Sequence, residues 1–83
     1  MVYGHEAYLG LDRKAAALLD SVVGHYPLVD GNKRLGWLAV VVFHGLNDAD
    51  LDAPDDPAYE LVMSVARREL SLDDIAAALA RWH

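Results

Sequence analysis

His25-Tyr26-Pro27-Leu28-Val29-Asp30-Gly31-Asn32-Lys33-Arg34, followed by the apolar run Leu35-Gly36-Trp37-Leu38-Ala39-Val40-Val41-Val42-Phe43, decides how this chain is read. A proline and a glycine interrupt two apolar segments of helical character. Between them lie a His–Tyr pair, a carboxylate, an amide and two adjacent cations. Gly31-Asn32 opens the apolar run, so the loop feeds into a helix N-terminus, where unpaired N–H groups and the helix dipole favour an anion such as phosphate. Asp30 beside it is competent to hold a metal ion.

Outward from that loop, the apolar residues Ala15, Leu18, Leu19, Val22 and Val23 recur at helical spacing. They predict a first helix with Asp12 as N-cap, ended by Gly24 and Pro27. Residues 1–10 show no period and read as an irregular arm. The second helix is expected from Asn32 to Leu46, apolar on every face and therefore central, surrounded by the others. A buried strand is the rival for its valine run, disfavoured by length and by the lack of a partner strand.

A third helix is expected from Asp55-Asp56-Pro57, with acids and proline suited to a first turn, and with Tyr59, Val62, Met63 and Ala66 on its buried face. Ser71 with Asp74 forms a variant capping box for a fourth helix running to Trp82. The expected architecture is all-α, four helices in one domain over residues 1–83.

Composition bounds the rest. An 83-residue chain buries only about 60% of its unfolded surface, yet 54% of these residues are apolar, which predicts a partner surface. The absence of cysteine excludes disulfides and thiolate metal sites. No secretory signal or membrane-length apolar run is legible, so a cytoplasmic location is expected. A net charge of −6 argues against general nucleic-acid binding. Between Ala15 and Ala66 the only cations are Lys33 and Arg34, set among Asp20, Asp30, Asp48, Asp50, Asp52, Asp55, Asp56 and Glu60. That pairing suggests a local task. The acidic loop does not read as a calcium hand, because Ala53 and Tyr59 occupy the glycine and glutamate positions. His5 and His83 are expected to be solvated, and His44 to be a satisfied helix-end residue. No two histidines have metal-ligand spacing. Arg67 and Arg68 read as a solvated face, and Trp37 and Trp82 as core or interface anchors.

The segment from Pro27 to Arg34 resembles the signature of the Fic/Doc (Fido) proteins, H-P-F-x-[DE]-[AG]-N-[GK]-R, in the variant with lysine before arginine that is typical of Doc-type toxins. Lys14-Ala15-Ala16-Ala17-Leu18-Leu19, Val42-Phe43-His44-Gly45-Leu46-Asn47 and Glu69-Leu70-Ser71-Leu72-Asp73-Asp74-Ile75 extend the resemblance over nearly the whole chain. It implies the toxin component of a toxin–antitoxin pair, a kinase that uses ATP and Mg2+ to modify a protein hydroxyl on a translation elongation factor. Asp30 would hold the magnesium, and Gly31, Asn32, Lys33 and Arg34 would bind phosphates. The family also contains AMP transferases, which usually carry a second arginine where this chain has Trp37. The family's helices ahead of Tyr3 are not matched, so a homo-oligomer or completion by another chain is expected, beside an antitoxin protein.

The family's catalytic histidine falls on Tyr26; His25 stands one place early. An imidazole titrates near neutrality, whereas an ordinary phenol is almost fully protonated there. Three readings follow. Tyr26 leaves a site that binds nucleotide but transfers weakly, or His25 takes the base role, or Tyr26 is itself an activated base or an acceptor. The alternative to an active enzyme is a degenerate domain that binds nucleotide or antitoxin without transfer.

Overall fold

The computed structural model describes residues 2–25 and 31–83, with only the backbone described for 2–9. The described residues form four α-helices and no strand: α1 (Val2–Leu19), α2 (Asn32–Leu46), α3 (Asp55–Ala66) and α4 (Leu72–Ala80). The fold is all-α, as expected.

Residues 2–10 are helical, not an irregular arm. Consequently Asp12 is no N-cap. It lies inside α1 at 1% exposure, with its carboxylate held by tertiary contacts to His44 and His83. A residue type that starts helices when solvated is used here as a buried acceptor. After Leu19 the backbone widens into one π-helical turn, Asp20–Gly24, that ends the first rod. Arg68 Nη1 donates to the Gly24 carbonyl at 3.0 Å, supplying a partner to a group the helix end would leave open. Arg68 therefore does more than form a solvated face, while Arg67 stands exposed 3.8 Å from Glu69.

The core gathers Ala15, Ala16, Leu19 and Val23 with Val40 of α2, Leu61, Val62 and Val65 of α3, and Ile75, Ala76 and Leu79 of α4. The three sets outside α2 repeat at helical spacing, and on α2 the buried residues Gly36, Val40 and His44 do so, which is why one face of each rod is buried. Gly36 lets α2 approach the first rod closely, since a Cβ there would lie 2.5 Å from Val23 Cγ2.

The helix α2 has the expected bounds but is not encased. Leu35, Leu38, Val42 and Leu46 are 52–79% exposed and form one stripe along it. Apolar composition on every side marks which helix is greasy, not which sides this chain covers. In α3 the buried face is Ala58, Leu61, Val62 and Val65; Tyr59 is 63% exposed and Met63 half-buried. The inward face is rotated by about one residue from the expected one. The box before α4 is complete, with Asp74 N donating to Ser71 Oγ at 3.1 Å and Ser71 N to Asp74 Oδ2 at 3.2 Å. Trp37 and Trp82 meet edge to face, 6.1 Å between centroids. No helix among the described residues is long and apolar enough to cross a membrane.

Candidate functional site

The residues singled out in the loop divide into two groups. Tyr26 and Asp30 lie outside the described residues. His25, Gly31, Asn32, Lys33 and Arg34 lie within them, at the two ends of the loop.

Gly31 sits in the left-handed region at φ 84° and forms the N-cap of α2, its carbonyl accepting from Leu35 N at 2.9 Å. Only glycine adopts this conformation without steric cost, and it brings no side-chain cap to the first turn. Asn32 Nδ2 donates to the Val22 carbonyl at 3.2 Å, which ties the start of α2 to the π-helical turn. That amide acts as a brace across the base of the loop. His25 is exposed, with Nε2 3.7 Å from Asp20 Oδ2, a surface contact too long and too solvated to fix the ring firmly.

Lys33 and Arg34 line a cleft of about 410 Å³ together with Trp37 of α2, Ala53 and Asp55 just ahead of and at the start of α3, and Tyr59, Val62 and Met63 along it. A volume of this size suits a small-molecule ligand. The cations stand at the positive end of α2, so charge and dipole act together there. One carboxylate, Asp55, belongs to the opposite wall. The α3 contribution was not singled out from sequence as part of a site. The signal lay in Tyr59 and Met63, one helical turn apart, whose large side chains are only partly packed away.

The class that the fold and the cleft define is a small all-α domain with two cations on the first turn of a helix, where a helix N-terminus offers N–H groups and a positive dipole end to an anion. The particular relationship is visible in sequence. The chain is 48% identical over 81 residues to the protein named Toxin Doc of Mycolicibacterium smegmatis. That match covers 95% of this chain and 62% of the length of its relative. The chain is thus Doc-like over nearly all of its length, in agreement with the resemblance carried by the loop. No family model matches it. No solved structure matches it either.

Proposed function

We propose that this chain is a Doc-type toxin component of a toxin–antitoxin pair that binds ATP with Mg2+ and transfers a phosphoryl group to a hydroxyl of a translation factor. The observation that carries the proposal is the placement of Lys33 and Arg34 on the first turn of α2, both lining the cleft that Trp37 and Tyr59 also line. Phosphoryl transfer relies mainly on positioning and charge stabilisation, and adjacent cations at a helix start supply both. The donor set fits a polyphosphate, and the aromatic wall offers surface for a planar base. Asp55 would repel phosphate alone, so its presence in the lining agrees better with a divalent cation travelling with the nucleotide. Asp30 would hold that cation. When bound, ATP would supply its γ-phosphoryl group, the bond to the β,γ-bridging oxygen breaking as the ester forms and ADP leaving. Lys33 and Arg34 hold its phosphates, and Asn32 keeps their helical turn braced against Val22. The acceptor hydroxyl's proton passes to the base, at position 25 or 26.

The test is incubation of the chain with Mg2+, elongation factor Tu and ATP labelled at either the γ- or the α-phosphate. Transfer of the γ label is expected; incorporation of the α label would mean AMP transfer instead. Arg34→Ala should lower transfer by about a hundredfold or more. Tyr26→His should raise it by orders of magnitude while His25→Ala changes little. If His25→Ala abolishes an activity that Tyr26→Phe leaves intact, the base is His25.

A second reading is favoured by Tyr26 at the base position: a domain that binds nucleotide or an antitoxin without transfer. An ATP-dependent thermal shift with no labelled product would establish that reading.

A further inference from the structure

Three polar side chains meet inside the core, far along the chain from one another and away from the loop. Asp12 on α1, His44 near the end of α2 and His83 after α4 have donor atoms that all lie within 4.8 Å of one another. Asp12 is 1% exposed, the His44 side chain 0%, and the His83 side chain 6%; the exposed part of His83 is its backbone. His44 Nε2 lies 3.0 Å from Asp12 Oδ1, and His83 Nε2 lies 2.6 Å from the same oxygen. The two rings pack with centroids 5.0 Å apart.

The proton count at His44 is informative. Its Nδ1 is 3.1 Å from the Val40 carbonyl, and a carbonyl only accepts, so Nδ1 carries the proton of that bond. The Nε2 lone pair of a neutral ring then points at a carboxylate oxygen. Two acceptors at 3.0 Å require a cation between them, either a second proton or a metal. A backbone carbonyl on the far nitrogen is also the usual arrangement that orients a metal-binding imidazole. The other half of the carboxylate separates the two options. Asp12 Oδ2 is buried and has no hydrogen-bond partner among the described residues. A proton on each imidazole satisfies Oδ1 and leaves Oδ2 stranded, a buried charged oxygen with no donor among the described residues. A metal chelated by both oxygens uses it.

We infer that Asp12, His44 and His83 form a buried site for a divalent transition metal of the zinc type, which staples α1, α2 and the segment after α4 together. Two imidazole nitrogens and two carboxylate oxygens make four donor atoms, the number a closed structural site uses. Imidazole donors and a single carboxylate favour zinc-like ions over magnesium or calcium, which prefer oxygen throughout. The nitrogen–oxygen separations must open by roughly half an ångström to admit an ion at about 2.0–2.1 Å from each ligand. No sequence spacing announces the site. Its ligands come from three elements, and only the fold brings them together.

The test uses the chain stripped with chelator, without nucleotide, and loaded with Co2+ or Zn2+ both folded and during refolding. One Co2+ per chain, with the intense visible absorption of a four-coordinate ion and displacement by Zn2+, is expected. It should persist in the His5→Ala, His25→Ala double variant and vanish in Asp12→Asn and His83→Gln. A hundredfold excess of Zn2+ over its dissociation constant should raise the wild-type midpoint by about 10 °C or more and leave those two variants unmoved. Should the variants fail to fold, the ring nitrogens of the wild type decide. Zinc must shift Nε2 of His44 and His83 in nitrogen-correlated spectra and spare His25. Absence of saturable 1:1 binding, or shifts confined to other histidines, overturns the inference and assigns the site to protons alone.

Discussion

Gly36 is the residue on which the packing of α2 depends. A Cβ at this position would meet Val23 Cγ2 at 2.5 Å and Leu19 Cδ1 at 3.2 Å, both in the fully buried core. Two effects oppose each other in Gly36→Ala. Alanine gains about 1 kcal/mol in helix propensity. Forcing a methyl into a packed core costs about 1–3 kcal/mol, and β-branched Val23 has little rotamer freedom with which to yield. The overlap should win, with a net destabilisation of up to about 2 kcal/mol in urea unfolding. An unchanged or raised midpoint would show that Leu19 and Val23 can move aside. The same scale shows where sequence reasoning stops. Gly31 was legible as a backbone position because a turn before a helix needs such a residue, and its φ of 84° agrees. Gly36 was legible only as one more small residue in an apolar run, since its neighbours Leu19 and Val23 come from another rod. Asp12 misled for a related reason. Its local signal marks a helix start, while its actual partners, His44 and His83, lie 32 and 71 positions away.

Among the elements, α2 and α4 were readable because each carries its own boundary signal: Gly31 ahead of the one, the Ser71–Asp74 box ahead of the other. The helix α1 offered no such signal at its true start. Its stretch from Val2 passes through Gly4 and Gly10, each of which weakens a helix by about 1 kcal/mol relative to alanine. For α3 the start was legible and the facing was not, because Tyr59 is large enough to suggest burial yet lines an open cleft. The self-contained box makes a clean prediction. The α4 helix has nine residues, too few to be stable without tertiary support, so its cap and its packing of Ile75, Ala76 and Leu79 must act together. Ser71→Ala removes the acceptor for Asp74 N and should cost about 1 kcal/mol, within the usual 0.5–2 range. Because α4 packs against α1, the loss should appear as a lower global midpoint in thermal unfolding. Fraying of α4 alone, seen as faster amide exchange confined to residues 72–80, would show instead that the helix is not part of the cooperative unit.

At the scale of the whole molecule, most of the large exposed apolar side chains among the described residues share one location. They collect on the outer side of α2, where Leu35, Leu38, Val42 and Leu46 stand exposed at helical spacing and, with Ala39 and Phe43, line a shallow open groove of about 430 Å³. The composition announced a partner surface but could not place it, since α2 is apolar on all sides and only the packing of α1 and α3 shows which side is left over. Magnitude then limits what this stripe does alone. Fully burying a Leu or Val contributes about 1.5–3 kcal/mol; these four are 52–79% exposed, and a symmetric pair covers the stripe of both copies, so together they supply roughly 7–15 kcal/mol at most. Association costs about 4–15 kcal/mol before any gain, which offsets most of that sum. A homo-oligomer held by the stripe alone should therefore form only at high concentration, on the order of 100 µM or above, whereas a dedicated partner chain with polar contacts around the rim would bind far below that. Light scattering across a concentration series should show a mass that rises at the upper end, and Leu38→Glu with Val42→Glu should hold the chain monomeric throughout. Neither substitution touches the core, so the unfolding free energy at low concentration should stay within about 0.5 kcal/mol of the parent. A monodisperse monomer at every concentration would mean that this stripe is tolerated in water and is not a surface for a second copy.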